Sequence, residues 1–467
     1  MGLSDESFHM DPDEFRRHGH AVVDWIADYM ERVGELPVTP DVAPGEIAAR
    51  LPAQAPEEPE DFAAILRDLD EVVLPGITHW QSPGWFAYFP ANTSGPSILA
   101  ELAAAGLGVQ GMLWATSPAC TEIELRVVDW LVELLGLPRH FTHADGPGGG
   151  SIQMSASDAT HLVHVVARGR GDVAYCSDQA HASVARGARI AGLEVRKLAT
   201  TPDAYALDPG VLRRAVLEDL DRGLRPAIVT SAIGTTGTGA VDPINAIADV
   251  AQEHGLWHHV DAAWAGSAMV LAEQRVHQRG VERVDSYTFN PHKWLFTNFD
   301  CNVLWWADRA PLLDTLSDTP PYLRNAASDS GAVTDLRDWQ VPLGRRFRAL
   351  KLWWVLRSYG ARGLRHHVAE HISLATDLAA RVDGHPALAH VAPRSFALVS
   401  FRHVDGNAAT DALAAAINAT GHSQVTASAL GDTRFIRVSI GQTHTTAVHV
   451  DRLWDTITGA TARAAPR

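Results

Sequence analysis

Lysine and cysteine are both scarce in this chain of 467 residues. Of its 39 basic residues, only Lys197, Lys293 and Lys351 are lysines, and all the others are arginines. A reaction that needs a neutral amine therefore has three candidate side chains. The three cysteines are an odd number and lie far apart in the sequence. That pattern argues against a disulfide framework and a cysteine-based metal site, and it is typical of a reducing compartment.

Long apolar runs and an excess of basic residues are lacking as well. No apolar run reaches the roughly 20 residues that a membrane helix needs, and the formal net charge is −16. Residues 1–75 hold 18 acidic residues and 5 arginines, a pattern that is usually a solvated helix face. The acidity argues against nucleic acid and anionic membranes as partners. Residues 1–10 contain Asp5 and Glu6 and no basic, apolar leader, so we expect a cytoplasmic protein.

The first 85 residues predict a helical segment that does not form a core of its own. Asp11, Pro12 and Glu14 make a helix start, with an N-cap carboxylate, proline at N1 and glutamate at N3. A proline-rich connector spans about 37–59, and a second amphipathic helix begins near Phe62. Two helices joined in this way bury little apolar surface. We therefore expect residues 1–85 to pack on another surface, such as a second subunit.

Apolar strands alternate with helices from about residue 86 to 365. This alternation predicts a mainly parallel, doubly wound α/β sheet, in which ligands bind beyond the carboxyl ends of the strands. Residues 366–467 predict a smaller C-terminal α+β domain. The predicted strands of the large domain are Val173–Cys176, Leu193–Leu198, Ala227–Ala232, Leu256–Val260 and Ser286–Phe289.

A loop rich in glycine and serine, at 148–158, leads into a predicted helix. It contains Ser155, Ala156 and Ser157. Hydroxyl groups and free N–H groups at a helix N-terminus form an anion site, although an ordinary serine N-cap explains such a loop about as well. Neither a GK[ST] nor a GxGxxG motif is present, so the loop is not a nucleotide-binding one.

Ionisable side chains follow three of the predicted strands. Asp261 ends a buried strand, where a carboxylate needs a partner. That partner could be a protonated ring nitrogen of a cofactor. Alternatively, Asp261 is a capping residue. Lys293 follows a strand between aromatic residues, and a partly buried lysine can lose its proton and form a Schiff base, which arginine cannot. Lys197 and Lys351 look like ordinary charged positions. His181 follows a third strand, where a lone histidine is more often structural.

Together these features are what a protein supplies for pyridoxal phosphate chemistry: an anion site, an acid for a ring nitrogen, a lysine for an imine and a flat ring. The chain also resembles the aromatic-L-amino-acid decarboxylase family, the group II pyridoxal-phosphate decarboxylases of fold type I, over about residues 10–460. The motifs that carry the resemblance are Asn290-Pro291-His292-Lys293-Trp294, His259-Val260-Asp261-Ala262-Ala263, Ser177-Asp178-Gln179-Ala180-His181, Ser155-Ala156-Ser157, Pro342–Arg348 and Trp114–Glu122.

The resemblance implies a role for each site residue. Lys293 would bind pyridoxal phosphate covalently, Asp261 would pair with the pyridine nitrogen, and His181 would stack on the ring and act in catalysis. Tyr322, on a mobile loop of the family, would protonate the substrate carbon after CO₂ leaves. The other cofactor-binding residues that the resemblance implies are Ser155, Ala156, Ser157, Thr236, Ala263, Asn290 and His292.

For the substrate, the resemblance implies an aromatic L-amino acid of the tryptophan, DOPA, tyrosine or phenylalanine class. It also implies a homodimer with the active site at the subunit interface. Trp80 and Tyr88 would contact the substrate, and Gly344 matches a position where glycine in plant members goes with indolic substrates. Trp264 replaces a more usual tyrosine and Met154 a usual small residue. These departures bear on the ring of the substrate, not on the cofactor.

Two other functions are compatible with parts of the sequence. An oxidative relative that makes an aromatic aldehyde would use the same scaffold, but in this family phenylalanine at the loop position goes with that activity, and this chain has Tyr322. A cofactor-less hydrolase or metal protein would use His254, His258 and His259. However, His258 and His259 face opposite sides of a strand, and no HExxH or GxSxG motif is present. We therefore expect no metal site.

Overall fold

The computed structural model describes residues 8–318 and 320–464, apart from the side chains of Tyr322, Arg463 and Ala464. The helices are α1 Pro12–Arg32, α2 Glu46–Arg50, α3 Phe62–Asp68, α4 Gly95–Leu107, α5 Pro118–Leu135, α6 Ala156–Ala167, α7 Ala182–Ile190, α8 Pro209–Asp221, α9 Ile244–His254, α10 Pro291–Trp294, α11 Ala310–Leu316, α12 Ala326–Asp329, α13 Arg348–Asp383, α14 Asn407–Asn418 and α15 Ala447–Ala464. The strands are β1 Gly149–Gln153, β2 Val173–Ser177, β3 Glu194–Leu198, β4 Pro226–Ala232, β5 Trp257–Asp261, β6 Ser286–Phe289, β7 Asn302–Trp306, β8 Leu388–His390, β9 Leu398–His403, β10 Thr426–Leu430 and β11 Thr433–Ser439.

The large sheet has seven strands in the order β1-β7-β6-β5-β4-β2-β3. Strands β2 to β6 pair in parallel, and β7 runs antiparallel to both β1 and β6. Every residue of β2, β4 and β6 is buried, as expected for parallel strands covered by helices on both faces. The predicted mainly parallel α/β sheet is confirmed, with each of the five predicted strands placed to within one residue at either end.

The glycines at 149–150 belong to a strand, and the prediction of a loop there is wrong. In the β1–β7 pair, Gly149 lies opposite Trp306 and Gly150 opposite Trp305. A Cβ atom on Gly150 would collide with the indole of Trp305. Glycine is therefore needed at position 150, because the indole of Trp305 on the neighbouring strand β7 occupies the space of a side chain. The loop that remains is the short stretch between β1 and α6.

The C-terminal part contains a four-stranded antiparallel sheet, in the order β10-β11-β9-β8. Helices α14 and α15 accompany it, so the predicted small α+β unit is confirmed. Helix α13 is 36 residues long and is interrupted at Gly360, whose φ of 60° and ψ of 168° are not helical. The boundary predicted at 365/366 falls inside α13, and the division into domains stays a prediction.

The two predicted N-terminal helices are present. Asp11 caps α1 by accepting hydrogen bonds from the N–H groups of Asp13 and Glu14, and Glu14 completes a capping box. Helix α3 starts at Phe62 and continues as a π-helical turn, Leu69–Val73. No residue of α1 or α3 is fully buried. Within the described residues, no helix has the length and hydropathy needed to cross a membrane.

Candidate active site

The carboxyl ends of the strands surround a cavity of about 190 Å³. Asp261 ends β5, Asn290 follows β6, and His181 lies just beyond β2. Ser155 lies between β1 and α6. All ten residues predicted to bind the cofactor line this cavity: Ser155, Ala156, Ser157, His181, Thr236, Asp261, Ala263, Asn290, His292 and Lys293. The structure thus brings the predicted set together, while the role of each residue stays a prediction.

One side of the cavity carries hydrogen-bond donors suited to an anion. Ser155 caps α6, and its Oγ accepts a 3.1 Å hydrogen bond from the N–H of Asp158. The first N–H groups of α6, those of Ala156 and Ser157, have no partner within the helix because of their position. They lie at the positive end of the helix dipole, where anions are stabilised.

His292 adds a neutral donor to the same side. Its Nδ1 accepts a hydrogen bond of 2.9 Å from the backbone N–H of Cys301, which leaves the ring proton on Nε2. Burial lowers the pKa of His292 to about 3, and the charge of Lys293 acts in the same direction. The neighbouring Asn290 is oriented by Asn302, whose Nδ2 donates to its Oδ1 at 2.8 Å. Both polar side chains are therefore fixed before any ligand binds.

Asp261 and His181 both line the cavity. The Oδ1 of Asp261 accepts a hydrogen bond of 3.0 Å from the N–H of Ala263. The Nδ1 of His181 accepts one of 3.2 Å from the N–H of Ser183 and lies 2.7 Å from its hydroxyl. Burial lowers the pKa of His181, although the charge of Asp261 opposes this. The result is a neutral, flat ring held beside a carboxylate.

Lys293 lies in α10, and its Nζ is 5.1 Å from the centroid of the Phe89 ring. Burial lowers the pKa of Lys293; the charge of Asp261 opposes this effect, and that of Arg437 reinforces it. A lysine with a lowered pKa is more often a neutral amine, which is the form that attacks a carbonyl carbon. The ring of Phe89 also stacks on the indole of Trp264, at a centroid distance of 4.4 Å.

Some residues around the cavity were not singled out from the sequence. Phe89, Ser183, Ala232, Gly234 and Thr235 line it, and the guanidinium group of Arg437 lies over the Phe89 ring. Ser183 could have been found, since it follows His181 by two residues at the start of α7. Thr235 lies next to the predicted Thr236. Phe89 and Arg437 come from segments far apart in the chain, and only the tertiary fold brings them together.

The predicted substrate-binding residues do not line this cavity. Trp80 and Tyr88 belong to an aromatic cluster with Trp85, in which Trp80 and Tyr88 stack at 5.7 Å. Tyr88 is 59% exposed and directly precedes Phe89. Gly344 is exposed elsewhere, next to Gln110. Tyr322 lies in the short helical turn Pro321–Leu323, and its side chain is outside the described part of the structure.

The three lysines differ more than the sequence indicated. Lys197 is exposed. Lys351, interpreted as an ordinary charged position, has a side chain only 1% exposed, with Nζ 2.9 Å from Oε2 of Glu101, so that interpretation is wrong. Its carboxylate partners, Glu101 and Asp300, are distant in sequence, and this explains why the pairing was not foreseen. Only Lys293 among the three lines the cavity.

The three cysteines are free, and all of them are buried. Among the described residues, no group of three or more histidine, cysteine, aspartate or glutamate side chains could hold a metal ion. His258 bonds to the hydroxyl of Ser231 and His259 to that of Ser286. Both histidines therefore have structural partners within the sheet.

Comparison with known proteins decides the family. The model of the pyridoxal-dependent decarboxylase conserved domain matches residues 44–404. This chain belongs to that family. It is 43% identical to a phenylacetaldehyde synthase of Arabidopsis thaliana over 96% of both chains, and 39% identical to an aromatic-L-amino-acid decarboxylase of Rattus norvegicus over 96% of this chain and 97% of that one. A crystal structure of Oryza sativa TDC with PLP and tryptamine covers 98% of this chain and 100% of that one, at 38% identity and a TM-score of 0.96.

The family assigns the enzyme class and the cofactor, and the cavity fits both. This decarboxylase is a carboxy-lyase that depends on pyridoxal phosphate. The start of α6 and the Nε2–H of His292 supply donors for a phosphate, and Asp261 supplies a carboxylate for a ring nitrogen. Lys293, with its lowered pKa, supplies the amine. The resemblance inferred from the sequence motifs is confirmed.

Proposed function

We propose that this decarboxylase converts an aromatic L-amino acid, of the tryptophan, DOPA, tyrosine or phenylalanine class, into the arylalkylamine and CO₂. The observation that carries the proposal is the aromatic wall of the cavity, where the ring of Phe89 stacks on that of Trp264 at a centroid distance of 4.4 Å. An aromatic side chain stacks favourably on such a surface. The sequence relatives named for aromatic substrates support the same class.

Each residue of the cavity has one physical task in this proposal. When bound, pyridoxal phosphate draws electrons from the substrate's α-carbon so that CO₂ can leave. Ser155, Ala156, Ser157, Asn290 and His292 would hold its phosphate. The carboxylate of Asp261 would hold a proton on its ring nitrogen, and the neutral ring of His181 would pack against it.

The remaining residues control the amine, the proton and water. Lys293 supplies the amine that attaches the cofactor. Thr236 and Ala263 complete the wall, and the stacked pair of Phe89 and Trp264 keeps water out. Tyr322 delivers a proton to the α-carbon once its loop closes. This last assignment rests on the resemblance.

A second function is favoured by one observation. A phenylacetaldehyde synthase is 43% identical to this chain over 96% of its length, so the scaffold is compatible with oxidative decarboxylation and deamination to an aldehyde. Tyr322 favours simple decarboxylation, because in this family the oxidative members carry phenylalanine at that position. The two functions differ in product, and one assay separates them.

We further propose that the enzyme is a cytoplasmic homodimer whose active site lies at the subunit interface. Apolar side chains on α1 and α4 are exposed in the single chain, among them Phe15 at 61%, Leu99 at 48% and Leu102 at 51%. Tyr88, which directly precedes Phe89 of the cavity wall, is also exposed. A partner subunit would cover both surfaces. Light scattering during gel filtration tests this proposal, and a mass of about 50 kDa would contradict it.

The test of the main proposal is a product analysis of the wild-type enzyme. Tryptophan, tyrosine, phenylalanine, DOPA and 5-hydroxytryptophan are each incubated with the enzyme and pyridoxal phosphate, and CO₂, amine, aldehyde, ammonia and peroxide are measured. We expect equal amounts of CO₂ and amine from at least one substrate. Aldehyde with ammonia and peroxide would establish the second function instead. If no aromatic amino acid released CO₂, the proposed substrate class would be wrong.

A further inference from the structure

The turn that follows Lys293 contains a residue with unusual backbone angles. Helix α10 ends at Trp294, and two residues later Phe296 has a φ of 55°, in the left-handed region that residues other than glycine seldom adopt. The ring of Phe296 is buried, so replacing it by glycine would empty part of the core. A strained conformation of this kind persists only where the surrounding structure imposes it.

Asn92 and Ser94 impose this conformation by holding both backbone groups of Phe296. The Oδ1 of Asn92 accepts a hydrogen bond of 3.1 Å from the N–H of Phe296, and the hydroxyl of Ser94 donates one of 2.6 Å to its oxygen. Asn92 and Ser94 are both buried, where hydrogen bonds are stronger than in water. The turn after α10 is therefore held from outside, by a segment that is distant in the chain.

Asn92 also holds the other end of α10 and connects it to the C-terminal part. Its backbone N–H donates a hydrogen bond of 3.0 Å to the oxygen of His292, the residue before Lys293. Its Nδ2 donates one of 2.9 Å to the oxygen of Gly441, which lies two residues beyond β11. Lys293 thus lies between the two points, His292 and Phe296, at which Asn92 holds the chain.

We propose that Asn92 and Ser94 are positioning residues, which hold the turn around Lys293 so that its amine meets the aldehyde carbon of pyridoxal phosphate. In this step the lysine nitrogen forms a double bond to that carbon, and the aldehyde oxygen leaves as water with the two amine protons. Lys293 lies on a helix of only four residues, which is too short to be stable by itself. Neither Asn92 nor Ser94 lines the cavity, so their effect on the cofactor passes through the turn. The proposal deepens the proposed function and rests on the role that it gives to Lys293.

Two ligands separate this positioning role from general support of the cavity. Pyridoxal phosphate has the aldehyde that bonds to a lysine, whereas pyridoxamine phosphate has the same ring and phosphate with an amine in place of the aldehyde. The rate at which full-length apoenzyme captures pyridoxal phosphate covalently is measured by borohydride trapping and mass spectrometry of the Lys293 peptide. The dissociation constant of pyridoxamine phosphate is measured by calorimetry. Both measurements are made on wild type, Asn92→Ala and Ser94→Ala.

The matched control is Asn418→Ala. Asn418 holds both backbone groups of one residue in the same way, since its Oδ1 accepts from the N–H of Val425 at 2.8 Å and its Nδ2 donates to the oxygen of Val425 at 3.3 Å. It lies in α14, beside the small sheet, and does not line the cavity. Asn418→Ala should lower the unfolding temperature, as Asn92→Ala does, and should leave both measurements at their wild-type values.

We expect Asn92→Ala to slow the covalent capture about 10- to 100-fold, as for a displaced reacting group. Ser94→Ala should slow it less, since it removes one hydrogen bond where Asn92→Ala removes two. Binding of pyridoxamine phosphate should change less than about threefold in both variants, because no hydrogen bond to the ligand is lost.

Equal losses in covalent capture and in pyridoxamine phosphate binding would overturn the proposal, because Asn92 would then support the whole cavity. Unchanged capture in both variants would overturn it as well. If Asn92→Ala does not fold, the same two measurements on Ser94→Ala decide. Failure of the role proposed for Lys293 would be seen differently, in wild-type enzyme, as trapping at another lysine or at none.

Discussion

The backbone N–H of Cys301 donates a hydrogen bond of 2.9 Å to Nδ1 of His292, and this contact decides which ring nitrogen carries a proton. Because burial also lowers the pKa of His292 to about 3, the ring is neutral and Nε2–H is its only donor. A histidine whose pKa is lowered in this way takes up a second proton only in acid. His292 therefore works as a donor of fixed orientation, not as a positive charge.

The first prediction separates the two nitrogens of His292. His292→Gln places an amide N–H near the position of Nε2, whereas His292→Asn keeps an acceptor near Nδ1 and loses the distal donor. We expect His292→Asn to weaken pyridoxal phosphate binding by about 1–3 kcal/mol and His292→Gln to weaken it less. Equilibrium dialysis with apoenzyme measures this difference. A reversed order of the two variants would show that the Cys301 contact matters more than the donor.

The second prediction concerns the covalent attachment of the cofactor. Borohydride reduction of holoenzyme should fix pyridoxal phosphate to a peptide containing Lys293, and Lys293→Ala should lose this labelling completely. Peptide mass spectrometry makes the measurement. Lys197→Ala is the control, because Lys197 is exposed and does not line the cavity, and it should be labelled like wild type. Labelling that persisted in Lys293→Ala would direct attention to the buried Lys351.

The third prediction concerns the pH dependence of that attachment. Burial lowers the pKa of Lys293 below its ordinary value of 10.5, so the neutral amine is already present at lower pH. The rate at which apoenzyme captures pyridoxal phosphate should therefore level off at a lower pH than it would for a lysine of ordinary pKa. Stopped-flow absorbance between pH 6 and 10 tests this. A rate that kept rising tenfold per pH unit up to pH 10 would be inconsistent with a lowered pKa.

Local sequence predicted the parts of the site that follow strands directly. Asp261 and Lys293 stand next to short apolar runs, and in a parallel sheet those ends must meet at one edge. The strand at 149–153 was missed because its glycines are set by contact with Trp305, a long-range feature. Likewise Arg437 lies over the ring of Phe89 only because of the pairing of the small sheet. These contacts could not be predicted from local sequence, because they join segments that are distant in the chain and meet only in the fold.

The fourth prediction concerns the ion pair that supports the end of β1, just before the short loop between β1 and α6. Arg345 and Glu124 form an ion pair with side chains 1% and 0% exposed. Together they hold both backbone groups of Ile152: Glu124 accepts from its N–H at 2.7 Å, and Arg345 donates to its oxygen at 3.0 Å. Glu124→Gln leaves a buried cation without its counter-charge. We expect a loss of about 3–5 kcal/mol of stability, measured as a lower unfolding temperature of the holoenzyme.

Two further variants sharpen this fourth prediction. Glu124→Gln combined with Arg345→Met removes both charges and should be less destabilised than Glu124→Gln alone, since no unpaired charge remains. Asp451→Asn removes one partner of the exposed pair with Arg381 and should change stability by less than about 1 kcal/mol. If Glu124→Gln were as mild as Asp451→Asn, the buried pair would not be supporting the loop.

The last prediction concerns the fate of the α-carbon. In the proposed function Tyr322 delivers the proton that completes amine formation, and no other step depends on its hydroxyl group. Tyr322→Phe should therefore bind pyridoxal phosphate and substrate as wild type does, while its products shift from amine to aldehyde, ammonia and peroxide. Product ratios at equal CO₂ release make the comparison independent of overall rate. The control is Tyr29→Phe, because the Tyr29 hydroxyl lies 2.9 Å from Nδ1 of His79, away from the cavity. An unchanged amine fraction in Tyr322→Phe would show that another group donates the proton.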